Sequence, residues 1–109
     1  MNPIYDVAIL GCGEAGIFAA YKLAHHRPGL KVLALDQGRD IYHRSCPIVA
    51  GKVRECIHCS VCDTMCGFGG AGAFSDGKFN FTTQFGGWLT DFMDAREVME
   101  LIDYVDSIN

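Results

Sequence analysis

No run of apolar residues in this chain comes near the roughly 18 that a membrane-spanning helix needs. The first apolar run, Val7 to Leu10, is short and follows Asp6. It has neither a basic leading region nor a small-residue cleavage site, so it does not read as a secretory leader. No membrane association is expected, and the chain is expected in the cytoplasm. Basic charge is also scarce: 9 Lys and Arg stand against 13 Asp and Glu, a net charge of −4. That balance excludes the basic surface a nucleic-acid-binding domain would carry. Internal repeats are absent too.

The charge is unevenly placed. Residues 1–89 hold eight Lys or Arg against seven Asp or Glu, whereas residues 90–109 hold six acids and only Arg96. The acidic end reads as a solvated helix face with no partner implied. With 109 residues, 50% of them apolar and 20% charged, the chain has the size and composition of one small globular domain. Six cysteines in a cytoplasmic setting, where thiols stay reduced, point to metal or redox chemistry more than to disulfides.

The spacing of apolar residues predicts a strand at Ile4–Leu10, a sharp turn at Gly11-Cys12-Gly13 and a helix from Ala15 to His26. Pro28-Gly29 ends that helix, and Lys31–Leu35 follows as a second strand. A strand, helix and strand in so short a span form a right-handed parallel crossover. Beyond Gln37 the periodicity fades, and seven of the thirteen glycines lie between Gly67 and Gly87. So long an irregular stretch is expected only where a ligand or metal organises it. Phe79, Phe81 and Phe85, with Thr82 and Thr83, suggest a short strand. From Thr90 to Ile108 the pattern is an amphipathic helix, with Asp91, Asp94 and Glu97 early and an apolar stripe of Phe92, Val98, Leu101, Ile102 and Val105. The expected fold class is α/β: an incomplete Rossmann-type parallel sheet. Residues 1–38 form its first βαβ unit, 39–89 a glycine- and cysteine-rich segment, and 90–109 the amphipathic helix.

Gly11-Cys12-Gly13-Glu14-Ala15-Gly16 is a complete G-x-G-x-x-G between a strand and a helix. Gly11 permits the tight turn, Gly13 lets backbone approach a pyrophosphate, and Gly16 lets helix and strand pack closely. The helix opening at Glu14 and Ala15 offers free N–H groups and a positive dipole end to phosphates. Asp36, with Gln37 beside it, ends the second strand twenty residues after Gly16, where a carboxylate accepts hydrogen bonds from a ribose diol. A carboxylate there disfavours a 2′-phosphate, so NADP is not expected, and FAD and NAD both remain open. Arg39 and Arg44 are within reach of pyrophosphate oxygens; solvated loop positions are the alternative for both.

The run from Asp6 to Gly16 resembles the opening of the two-dinucleotide-binding-domain flavoproteins, which place FAD at their extreme N-terminus. Their acid is usually Glu, and Asp36 departs from that. A second run, Gly67-Phe68-Gly69-Gly70-Ala71-Gly72-Ala73-Phe74-Ser75-Asp76-Gly77-Lys78, offers N–H groups, a hydroxyl and an ammonium to phosphate or ribityl oxygens. A flexible loop is the alternative, although Phe68, Phe74 and Phe79 are foreign to flexible linkers. This run, with Cys46-Pro47 upstream, resembles the family labelled FAD-dependent dehydrogenases, whose substrate is generally unassigned. The resemblance extends from about Tyr5 through Gly87 and into the last helix. It implies that Gly69, Gly70, Ala71, Gly72 and Ser75 contact FAD, and that residues 39–89 fold back over the cofactor. It further implies an oxidoreductase acting on a small-molecule substrate, with NAD as a conceivable electron donor. Family members are several times longer, so catalytic groups are expected in the remainder of the same enzyme or a partner subunit, and these 109 residues alone are expected to be inactive.

Cys56-x2-Cys59-x2-Cys62-x3-Cys66 has the spacing of a bacterial ferredoxin loop for a [4Fe–4S] cluster. Cys46-Pro47 is a candidate remote ligand, here upstream, and Cys66 is followed by Gly67 where a ferredoxin has Pro. Three alternatives stand beside the cluster. They are structural zinc, which four ligands this close would crowd, a redox dithiol next to a flavin, and inert buried thiols. His58 inside the loop reads as exposed, and His25 and His26 end a helix, where a cation is favourable. A non-catalytic iron–sulfur or nucleotide-binding subunit or sensor is the second functional class these features allow.

Overall fold

The computed structural model describes residues 3–84 and 86–108. Contacts divide the chain into two bodies, one running to Ser75 and the other starting at Asp76. The division falls inside the expected 39–89 segment, whose first part belongs with the βαβ unit.

In the first body, strand β1 (Val7–Leu10), helix α1 (Glu14–His26) and strand β2 (Val32–Leu35) follow in that order. The two strands pair in parallel from Val7 opposite Val32 to Leu10 opposite Leu35. Both are shorter than the expected strands. The first loses Ile4, Tyr5 and Asp6 because the Asp6 carboxylate accepts from the Lys31 N–H at 2.8 Å, tying the two strand entries together before the ladder begins. Gly11 N–H donates to the Leu35 carbonyl at 2.7 Å and closes the ladder at the turn. Helix α1 starts one residue earlier than expected and ends where Arg27 N–H donates to the Leu23 carbonyl, just before Pro28. A single turn of 3₁₀ helix, Gly70–Phe74, is the one regular element in the rest of this body among the described residues.

The second body holds a 3₁₀ turn at Leu89–Asp91 and helix α2, Ala95–Asp106. The expected helix from Thr90 is therefore broken in two. Asp94 is the reason: its carboxylate accepts from the Arg96 N–H at 2.8 Å, and the Glu97 carboxylate accepts from the Asp94 N–H at 3.0 Å. This is a reciprocal capping box, which fixes a helix start at the residue after Asp94. Val98 is the buried residue of α2, while Leu101 stays half exposed and Phe92, outside the helix, is 85% exposed. The strand suggested around Phe79 and Phe81 does not form among the described residues, and Phe85 lies outside them. No described helix is long and apolar enough to cross a membrane.

Candidate functional site

The glycine turn brings β1 into α1 so tightly that a Cβ on Gly16 would run into the Gly11 carbonyl oxygen and sit 3.3 Å from the Ile9 side chain. Only glycine fits that crossing, the close helix–strand packing expected of the third glycine. Gly13 is the N-cap of α1, with an extended backbone and no side chain capping the first turn. The opening N–H groups of the helix are thus left for a ligand or water.

Asp36 lies beyond β2 with its carboxylate turned onto backbone. Oδ2 accepts from Cys12 N–H at 2.7 Å, and Oδ1 accepts from Gly38 N–H and Gly67 N–H, both at 2.8 Å. These donors, that of Cys12 foremost, hold the Asp36 carboxyl below its ordinary pKa, with the Arg44 charge adding to the effect. An ionised carboxylate offers about four lone-pair positions. Three are occupied here, and the one remaining on Oδ2 can still accept from a hydroxyl.

The second glycine run is seated directly on the first. Gly69 N–H donates to the Cys12 carbonyl at 2.8 Å, and a Cβ on Gly70 would lie 3.1 Å from Gly13 Cα. Gly67 has φ +112°, and a Cβ there would strike the Arg39 carbonyl, so the reversal into this run requires glycine. A Cβ on Gly72 would lie 2.6 Å from the Glu14 carboxylate. Together the two runs bound a cleft of about 430 Å³ with Gly11, Gly13, Asp36, Gln37 and Gly70 in its wall. Leu10, Leu35, Met65 and Cys66 complete the lining. Glu14, Ala15, Gly16, Gly69, Ala71, Gly72 and Ser75 do not line that cleft.

Arg44 does not face the cleft as a free cation. It is buried, with Nε donating to the Asp63 carbonyl at 2.8 Å, one terminal nitrogen to the carbonyls of Phe68 and Gly70 at 2.9 and 2.8 Å, and the other to Thr64 at 2.9 Å. The guanidinium carbon also lies 4.7 Å from the centre of the Phe74 ring. Four of its five N–H groups are thus engaged with backbone, which corrects the expectation that Arg44 reaches pyrophosphate oxygens: it is a strut under the second glycine run. Arg39 remains exposed and lies 3.8 Å from the Asp63 carboxylate.

All six cysteines are free thiols. Cys46, Cys56, Cys59 and Cys62 line a second cavity, of about 260 Å³, whereas Cys66 lies on the first cleft and accepts from Gln37 Nε2 at 3.0 Å. Among the described residues no three His, Cys, Asp or Glu side chains converge on a single metal-ion position. Cys46 Sγ is held by the N–H groups of Val49 and Ile48 and by the Thr64 side chain, which push its pKa down. His58 has φ +51°, a left-handed conformation inside the cysteine loop. Sequence reasoning missed Met65 and Cys66 on the cleft; their apolar or thiol character carries no signal of that placement.

Set against the known protein families, the curated proteins and the solved structures, the chain matches none.

Proposed function

We propose that the chain is the flavin-binding N-terminal part of an FAD-dependent oxidoreductase, its βαβ unit being the first crossover of a Rossmann-type sheet. The observation that carries this reading is the meeting of four features at one cleft: the Gly11–Gly16 turn, the uncapped start of α1, Asp36 and the second glycine run. Each suits one part of a dinucleotide. The N–H groups and dipole of α1 suit the pyrophosphate, and the remaining Oδ2 position of Asp36 suits a ribose hydroxyl. The resemblance of Asp6–Gly16 and Gly67–Lys78 to flavoprotein sequences favours FAD over NAD.

When bound, FAD supplies an isoalloxazine ring that takes up or passes on electrons or hydride. The residues of this chain hold the other end of the cofactor. Gly13 and Gly70 would leave room for a pyrophosphate, and Asp36, which holds the turn, would also accept from the ribose. Leu10, Leu35 and Met65 give an apolar wall for an adenine ring. Substrate and catalytic groups belong to the remainder of the enzyme or a partner subunit.

Gly13→Val tests the reading cleanly. A Cβ at Gly13 meets nothing closer than Gly70 Cα at 4.0 Å, and the extended backbone there accepts any residue, so the fold should tolerate the substitution. The added methyls would nevertheless occupy the pyrophosphate position. The full-length protein should purify yellow, with near-stoichiometric FAD by absorbance after gel filtration. Gly13→Val should elute colourless with an unchanged circular dichroism spectrum. Retention of flavin by that variant would place the flavin elsewhere, and loss of NADH turnover with flavin retained would make the turn a nicotinamide site.

A further inference from the structure

We propose that Cys46, Cys56, Cys59 and Cys62 are the ligands of a [4Fe–4S] cluster and that Cys66, despite completing the sequence run, is not one of them. This goes beyond the flavin reading and does not depend on it. In a C-x2-C-x2-C-x3-C run the first three thiolates serve one cubane, while the fourth cysteine points away from it; the missing ligand then comes from a distant Cys-Pro. The geometry divides the cysteines of this chain in the same way. Cys56, Cys59 and Cys62 share the wall of one cavity with Cys46 of Cys46-Pro47.

The turn after Cys62 explains why Cys66 leaves the group. Met65 N–H and Cys66 N–H both donate to the Cys62 carbonyl, at 3.0 and 2.8 Å. That single helical turn carries Cys66 to the cleft beside the glycine turn, where Gln37 Nε2 donates to its sulfur. A matching turn follows Cys46: Ala50 N–H donates to the Cys46 carbonyl and Lys52 N–H to the Pro47 carbonyl, at 2.9 and 2.8 Å. The chain is thereby folded back so that Ile48 and Val53 join Ile57 as the apolar lining of the cavity. Low polarity and four thiols around one space are the surroundings a cubane requires.

The alternatives fit less well. Four thiolates on one zinc would each lie about 2.3 Å from the ion, and no three described ligands converge on one point. A cubane spreads its ligands over four irons and needs a wider cage. Asp63 and His58 also border the cavity, but the Asp63 carboxylate already accepts from Ser45 N–H at 3.0 Å.

Iron, acid-labile sulfide, zinc and flavin measured separately on the full-length protein purified without oxygen will test the assignment. Expected are iron and sulfide in equal amounts, about four of each per chain, whether or not flavin is bound. Cys46→Ser, which removes a ligand, should lose most of its iron on gel filtration. Cys66→Ser should retain all of it. Full iron in Cys46→Ser, or loss in Cys66→Ser, overturns the ligand set. Bound zinc without sulfide, or a metal-free protein in which two of these thiols titrate with the flavin, overturns the cluster. Native alkylation of the unsubstituted protein reads the same assignment without any variant. Cys46, Cys56, Cys59 and Cys62 should stay unlabelled until a chelator removes the iron and then react together; labelling of Cys46 while the iron is still bound refutes it.

Discussion

The carboxylate of Asp36 ties together three segments far apart in sequence: Cys12 in the first turn, Gly38 after β2 and Gly67 at the second glycine run. The place of this acid directly after β2 was legible from the apolar run that precedes it. Its structural role was not, because its partners are backbone N–H groups, which every residue but proline carries and which leave no mark in the sequence. Arg44 was misjudged for the same reason, since its acceptors are carbonyls. The consequence for pH dependence can be worked out from the sign of the shift. Asp36 has its pKa lowered by these donors, so its contribution to stability is complete above the ordinary carboxylate pKa of about 3.9 and is lost as pH falls through the lower, folded value. Asp36→Asn should therefore be less stable than the parent at neutral pH, by about 1.5–3 kcal/mol if one charged hydrogen bond is lost. The difference should vanish in acid. Urea melts of the full-length protein and of its Asp36→Asn variant at a series of pH values give the test, and a gap that persists to the acid limit would show that ionisation of Asp36 is not its source.

At the scale of elements, helix α1 and the two strands were readable from periodicity and from their glycine and proline stops. Their ends were not, because ladder pairing and capping decide them. Helix α2 shows this most clearly. Its apolar stripe continues back to Phe92, yet the capping box of Asp94 and Glu97 starts the helix at Ala95. The exposed Arg96–Glu100 pair at 3.0 Å adds little beside this. Asp94→Ala should cost the helix about 1 kcal/mol and reduce ellipticity at the helical minimum. A double variant with Glu97→Ala should lose little more, since the two side chains form one device. Additive losses would mean that the caps act independently.

Across the whole molecule the described residues bury very little. Cys12 and Val98 are the buried apolar residues, while Leu10 is 81% exposed, Trp88 78% and Tyr42 91%. Parallel strands are ordinarily covered on both faces, and a two-stranded sheet is marginal by itself. Exposed apolar surface on this scale marks a contact surface or an aggregation liability. The 109-residue polypeptide alone is therefore expected to self-associate with rising concentration, to bind a dye that reports exposed apolar surface, and to melt without a sharp transition. Light scattering coupled to gel filtration and a calorimetric scan measure this, and a monomeric species with a cooperative melt would contradict it. The expected composition of an ordinary globular domain was right as arithmetic and uninformative here, because composition counts apolar residues without saying what covers them.

One oxygen of Asp36, Oδ1, accepts from both Gly38 and Gly67, so the chain between them leaves and returns at a single atom. Arg39 lies just inside this closure, with its carbonyl accepting from Phe68 N–H at 3.1 Å. A loop pinned at its neck can change length without moving what lies outside it, since doubling a flexible loop adds only about 0.6 kcal/mol of closure entropy. The cysteine-bearing excursion can thus vary in length only where Arg44, which braces the Phe68 and Gly70 carbonyls from inside it, and its acceptors Asp63 and Thr64 stay in place.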